Sequence, residues 1–252
     1  MKKLLLSLTA LFMCFIVSAS AFAENFYIET YRSDLRVDKQ KLVKVSEFLH
    51  TNFYNEAHGI YRNIPYQRGS SVSEIFASYN PGEQWYREYT VSDTPMNREY
   101  MIKIGNPSQT VLGNVMYQIE YNYQIGDKKD NVNFNIIGTG WGTNINKAVF
   151  TIVMPGSVDE KKVKFYVGKS GAKNSDGRIK YSVENHKYGD DRSFIAAEIT
   201  QPLAPHEGVT VDIEVPKGYF NIHKNIFDYI GDCIEYIMLA FMLLLTYGAY
   251  RI

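Results

Sequence analysis

The sequence is short of several things that usually announce a function. It has two cysteines in 252 residues, so it is not a disulfide-built scaffold. It has no charge excess: 27 Lys and Arg meet 27 Asp and Glu. With no basic surplus to neutralise phosphates, nucleic-acid binding is excluded as a main task. It lacks the aromatic poverty of a disordered chain, since Phe, Trp and Tyr make up 14% of it. Outside the termini, no amphipathic helical pattern runs beyond three turns. The length suits one large domain or two small ones.

The two ends differ from the rest. Residues 1–23 read as a secretory signal: Lys2 and Lys3, an apolar stretch over 4–17, then Ala21-Phe22-Ala23 as the cleavage site before Glu24. A first transmembrane helix is the competing reading of that segment. Cys14 does not lie in a lipid-attachment motif, because Leu11-Phe12-Met13 precede it where small residues are required. Without the signal, Cys233 is the only thiol, so no internal disulfide forms. The uncharged run over 236–250 reads as part of a membrane anchor placed at 230–250. Asp228, Asp232 and Glu235 lie before it and Arg251 after it. That asymmetry places the N-terminal domain outside the cytoplasm. A single-pass protein of the cell membrane follows, with the lipid bilayer as its first partner. The three acids share one helical face, which reads as a hydrated surface beside the membrane rather than a cation site.

Between the ends, hydrophobicity has a period of two. Residues 26–37 and 42–53 read as a long hairpin turning at 38–41. Shorter strands are expected at 86–91 and 99–104. A regular series follows at 115–125, 132–137, 147–154, 162–167, 179–184, 194–200 and 209–215, separated by Gly, Pro, Asn and Asp. This spacing predicts a mainly β fold, an antiparallel β-sandwich of immunoglobulin-like style over 24–220. Residues 70–79 read equally as helix or strand. A joint at Asn106-Pro107-Ser108 would split the unit in two, but no charged or Gly/Ser linker marks it.

Motifs that resemble chemistry do not complete themselves. Gly138-Thr139-Gly140-Trp141-Gly142 resembles a cofactor loop, but a strand is expected after it where a dinucleotide site needs a helix. It reads as a tight connection with Trp141 against the core. Gly168-Lys169-Ser170 lacks the earlier glycine of a phosphate loop, since position 163 is Val163, and reads as a hairpin turn. No nucleotide or other cofactor is expected. The five histidines (His50, His58, His186, His206 and His223) have no ligand spacing, so no metal is expected either. No catalytic residues are assigned. Residues 58–65 are the densest unusual segment. Arg62 either presents itself on a rigid loop to an anionic group, with His58 beside it, or pairs a carboxylate such as Glu47 in the core. His58, Arg62, Glu47 and Trp141 are the candidate binding residues.

At these residues the chain resembles a known family. The matching segments run in order: HGIYRNIPY at 58–66, IGNPSQTVLGNVMYQIEYNYQIG at 104–126, FNIIGTGWGTNI at 134–145, VFTIVMPG at 149–156 and LAPHEGVTVDIEVPKG at 203–218. They are similar to the predicted bacterial membrane proteins grouped as domain of unknown function 2207. That resemblance implies an exported β-rich domain followed by membrane helices, and it implies no activity. Two features depart from the family pattern: Phe134 stands where a Trp is usual, and the chain stops at Ile252 before further helices, as a short variant or a truncated reading frame would. The expectation is a membrane-anchored extracytoplasmic domain that binds a protein or envelope partner. An envelope hydrolase or carbohydrate-active domain built on Glu47, His58 and Arg62 is one alternative, and a subunit of a membrane complex is the other.

Overall fold

A computed structural model describes residues 25–126, 129–186 and 191–222. The expected signal at 1–23 and anchor at 230–250 lie outside the described residues. Among the described residues no helix is long and apolar enough to cross a membrane.

The described chain is mainly β. It runs β1 (Phe26–Val37), β2 (Leu42–Ala57), β3 (Ile60–Pro65), β4 (Ser71–Asn80), β5 (Tyr89–Thr94), β6 (Glu99–Ile104) and β7 (Val111–Gln124). It continues through β8 (Asn131–Ile137), β9 (Ile145–Met154), a single 3-10 turn at Glu160–Lys162, β10 (Val163–Gly168), β11 (Ile179–His186), β12 (Arg192–Ile199) and β13 (Gly208–Glu214). These form a seven-stranded sheet, β11-β12-β9-β1-β2-β7-β4, and two three-stranded sheets, β10-β13-β8 and β3-β6-β5. Both small sheets lie on the same face of the large one. Arg62 of β3 reaches Glu47 of β2, and Phe134 of β8 packs edge-on against Tyr123 of β7 at 5.3 Å. Buried side chains from all three sheets form one hydrophobic cluster.

Alternation explains why these residues fold this way. In β2 the buried positions are Val43, Val45, Glu47, Leu49, Thr51 and Phe53, every second residue. β1 changes phase once. Phe26 and Ile28 face inward, then Tyr31, Ser33, Leu35 and Val37, and the slip coincides with an irregular pairing between Ile28 and Thr30. One extra residue there keeps both apolar sets on the core side.

Four expectations are settled or changed. Residues 70–79 are strand β4, so the undecided segment extends the large sheet. Residues 60–65 are strand β3 rather than a rigid loop, and Arg62 is inward-facing between Ile60 and Ile64. β1 and β9 pair in parallel, although every other pairing of named strands is antiparallel. The Gly168-Lys169-Ser170 segment is not a hairpin turn either. It leads from β10 in one sheet to β11 in another.

Two glycines let β3 begin where it does. Gly59 has φ +119°, and a side chain there would sit 1.9 Å from the Ile104 carbonyl oxygen. Gly105 has φ +136°, and a Cβ would sit 2.1 Å from the His58 carbonyl oxygen. The two backbones touch because neither residue has a side chain. That contact seats the end of β3 against β6 and aims Arg62 at the large sheet.

Candidate binding site

Glu47 and Arg62 occupy core positions by phase, not by composition. Each replaces an apolar residue on the inner face of its strand. Their side chains are 0% and 3% exposed. The Arg62 Nε donates to Glu47 Oε2 at 2.7 Å and Nη2 donates to Oε1 at 2.5 Å, a bidentate pair across two sheets. A third donor, Nη1, goes to the Asn63 carbonyl. The Tyr121 hydroxyl of β7 donates to Glu47 Oε1 at 3.0 Å.

Tyr31 and Trp141 complete the surroundings. The Arg62 guanidinium lies 6.0 Å from the Trp141 ring centre, and Tyr31 meets Trp141 edge-on at 6.2 Å. Trp141 is held by the loop between β8 and β9. That loop crosses Arg62 closely: a Cβ at Gly138 would lie 3.6 Å from the Arg62 Nη1. The segment after it is strand β9, so the loop is a connection between two sheets.

Electrostatics keeps this cluster in one state. Burial opposes the charge on Arg62, and the Glu47 carboxylate outweighs it, holding the guanidinium above its ordinary value. Burial also raises the phenols of Tyr31 and Tyr121, with Glu47 adding to it. Both phenols therefore stay protonated, and Tyr121 remains a donor. The charges cancel inside the protein, which suits a clamp between sheets better than a reactive centre.

Three of the four candidate residues thus come together: Glu47, Arg62 and Trp141. His58 does not join them. It lies at the surface, its Nδ1 3.0 Å from the Gln109 carbonyl oxygen, and lines a different pocket with Tyr61 and Lys103. No motif marks Tyr31 or Tyr121 in the sequence. The signal was present, since both fall in phase with the buried faces of β1 and β7. Among the described residues, no group of three or more His, Cys, Asp and Glu gathers to hold a metal.

Beside the pair, a cleft of about 250 Å³ opens between β3 and β8. Arg62 and Tyr121 line one side, with Gln67, Asn133, Asn135 and Thr210 around the rest. β3 and β8 are edge strands of their sheets, and no ladder joins them.

The family described as "Predicted membrane protein (DUF2207) N-terminal domain" matches residues 27–215. No curated protein matches the chain. Among solved structures, a proposed protease from Parabacteroides distasonis ATCC 8503 is similar with a TM-score of 0.48 and 9% identity, over 77% of this chain and 41% of that one. An M1 zinc metallopeptidase from Deinococcus radiodurans is similar with a TM-score of 0.44 and 9% identity, over 75% of this chain and 42% of that one. The chain thus spans less than half the length of these two structures.

Proposed function

Because the chain belongs to the family of predicted membrane proteins that carry this N-terminal domain, we propose that it is a non-enzymatic, membrane-anchored β-sandwich domain that binds a protein or envelope partner outside the cytoplasm. The observation that carries this reading is the closed cluster of Glu47, Arg62 and Tyr121. Its carboxylate and guanidinium are matched within the core, and its phenol stays protonated. What the domain offers outward is surface and cleft. The topology rests on the sequence: the signal at 1–23, the anchor at 230–250 and Arg251 beyond it.

The full-length chain, recovered from membranes with its bound proteins and analysed by mass spectrometry, tests this. A partner retained by the whole chain and lost from one carrying only residues 223–252 supports it. Turnover of an envelope substrate by the purified chain, abolished by Glu47→Gln, would overturn it. Protease added outside intact cells should remove the domain and leave a membrane-held fragment.

A further inference from the structure

We infer that the cleft between β3 and β8 is a binding site for an uncharged, hydroxyl-rich ligand of about one sugar ring, a glycan unit. The inference rests on the envelope-partner reading and names the ligand chemistry.

The composition of β8 is the first reason. Its sequence is NVNFNII, with Asn131, Asn133 and Asn135 on one face at a spacing of two. Asparagine is depleted in strands, so its repetition there needs a cause beyond propensity. Asn131 has an internal role, since its amide donates to Asp212 at 3.2 Å. Asn133 and Asn135 do not have one of that kind. The Asn133 side chain makes no hydrogen bond within the described protein. Asn135 only accepts, at 3.4 Å, from the Thr210 hydroxyl. Both are half-buried and line the cleft. Gln67, on the loop after β3, brings a third amide with no side-chain partner. Each amide offers a donor and an acceptor together, which is what a sugar hydroxyl requires.

Charge is the second reason. Among the described residues Arg62 is the only charged one lining the cleft, and Glu47 already matches it. A ligand therefore meets hydrogen-bonding groups but no free charge, which disfavours phosphates and acidic sugars. Tyr66 adds half-buried aromatic surface to the same cleft, and the buried Tyr123 and Phe134, packed edge-on, form its apolar floor.

Backbone chemistry is the third. Two facing edge strands invite a peptide to add as a strand, but this pair is poorly equipped for it. Pro65 has no N–H to give, and the Asn63 carbonyl is taken by Arg62. Recognition then falls to side chains.

The test uses the full-length chain in lipid nanodiscs and saturation-transfer NMR with glucose, N-acetylglucosamine and glucuronate as probes. Transfer to a neutral sugar is expected, with affinity falling roughly tenfold or more in Asn133→Ala/Asn135→Ala as two polar contacts go. A smaller fall is expected in Gln67→Ala, an exposed loop position that serves as a second variant if the double change disturbs folding. Glucuronate should bind no tighter than glucose. No transfer to either neutral sugar, unchanged affinity in folded variants, or a preference for glucuronate would each overturn the inference. The assay contains no protein partner, so a failed recovery of partners leaves it standing, and absent sugar binding leaves the partner reading intact.

Discussion

Two arginine–glutamate forks in this molecule are chemically alike and differently placed. Arg62 and Glu47 meet between sheets at 3% and 0% exposure. Arg178 and Glu207 meet between loops at 16% and 17%. Arg178 donates to both Glu207 oxygens at 3.0 and 2.7 Å and to the Pro202 carbonyl at 2.9 Å, while the Ala204 N–H donates to Glu207 at 2.9 Å. The outer fork fastens one loop, 202–207, beside β11. The inner fork joins β2 to β3 and thus one sheet to another. Geometry alone therefore does not set the value of an ion pair. Water does, because it resolvates a broken outer pair far more readily than one buried between sheets.

The largest effect is expected from Arg62→Ala. It leaves Glu47 charged and buried, at a cost of about 3–5 kcal/mol. Urea denaturation followed by the emission of Trp141, which neighbours the pair, reads it. Next comes Glu47→Leu/Arg62→Met. Removing both charges should restore much of the loss relative to Arg62→Ala, while the orphaned Tyr121 hydroxyl keeps it about 1–3 kcal/mol below the parent. If the double variant is no better than the single one, the cost lies in lost packing and the contrast between the forks dissolves.

Arg178→Ala should cost less, about 1–2 kcal/mol, with water replacing the lost donors. Acid sharpens that prediction. The Arg178 hydrogen bonds hold Glu207 below its ordinary carboxylate value. Its contribution is therefore complete above the unfolded value and is lost as pH falls through the lowered folded one. The stability gap between the parent and Arg178→Ala should be constant near neutrality and close below roughly pH 4. The smallest effect belongs to Lys164→Ala. Lys164 pairs with Glu214 at 2.7 Å, but at 51% and 42% exposure both already have water, so the unfolding midpoint should not move measurably.

Much of the strand pattern was legible because a half-buried strand writes itself as alternation. The hairpin of β1 and β2 and the strand β6 appear near their expected bounds for that reason. β4 was ambiguous: Phe76 is half-buried and Ala77, Ser78, Tyr79 and Asn80 are all buried, so the alternation disappears at its end. β3 reads as a loop in the sequence because an arginine and a proline within six residues look like punctuation. In fact Arg62 keeps the phase of Ile60 and Ile64, and Pro65 ends the strand. The contact of Arg62 with Glu47 was among the expected pairings, while the place of Asn133 and Asn135 in a cleft was not. Nothing in the alternation of β8 tells which strand stands across the gap from it.

Most strands, and the inward face of most of them, follow from alternation in the sequence, since side-chain direction reverses at every residue and burial follows directly. The same period puts Glu47 on the inward face of β2, while Arg62 reads as part of a loop and gains its inward place only with β3. The packed fold adds that β9 runs parallel beside β1, that β3 and β8 leave a cleft between them, and that of the two readings of Arg62 the core pairing holds. Those outcomes depend on how strands distant in the chain are ordered within and between sheets. That ordering is set by the joint packing of three sheets into one core, which no local period records.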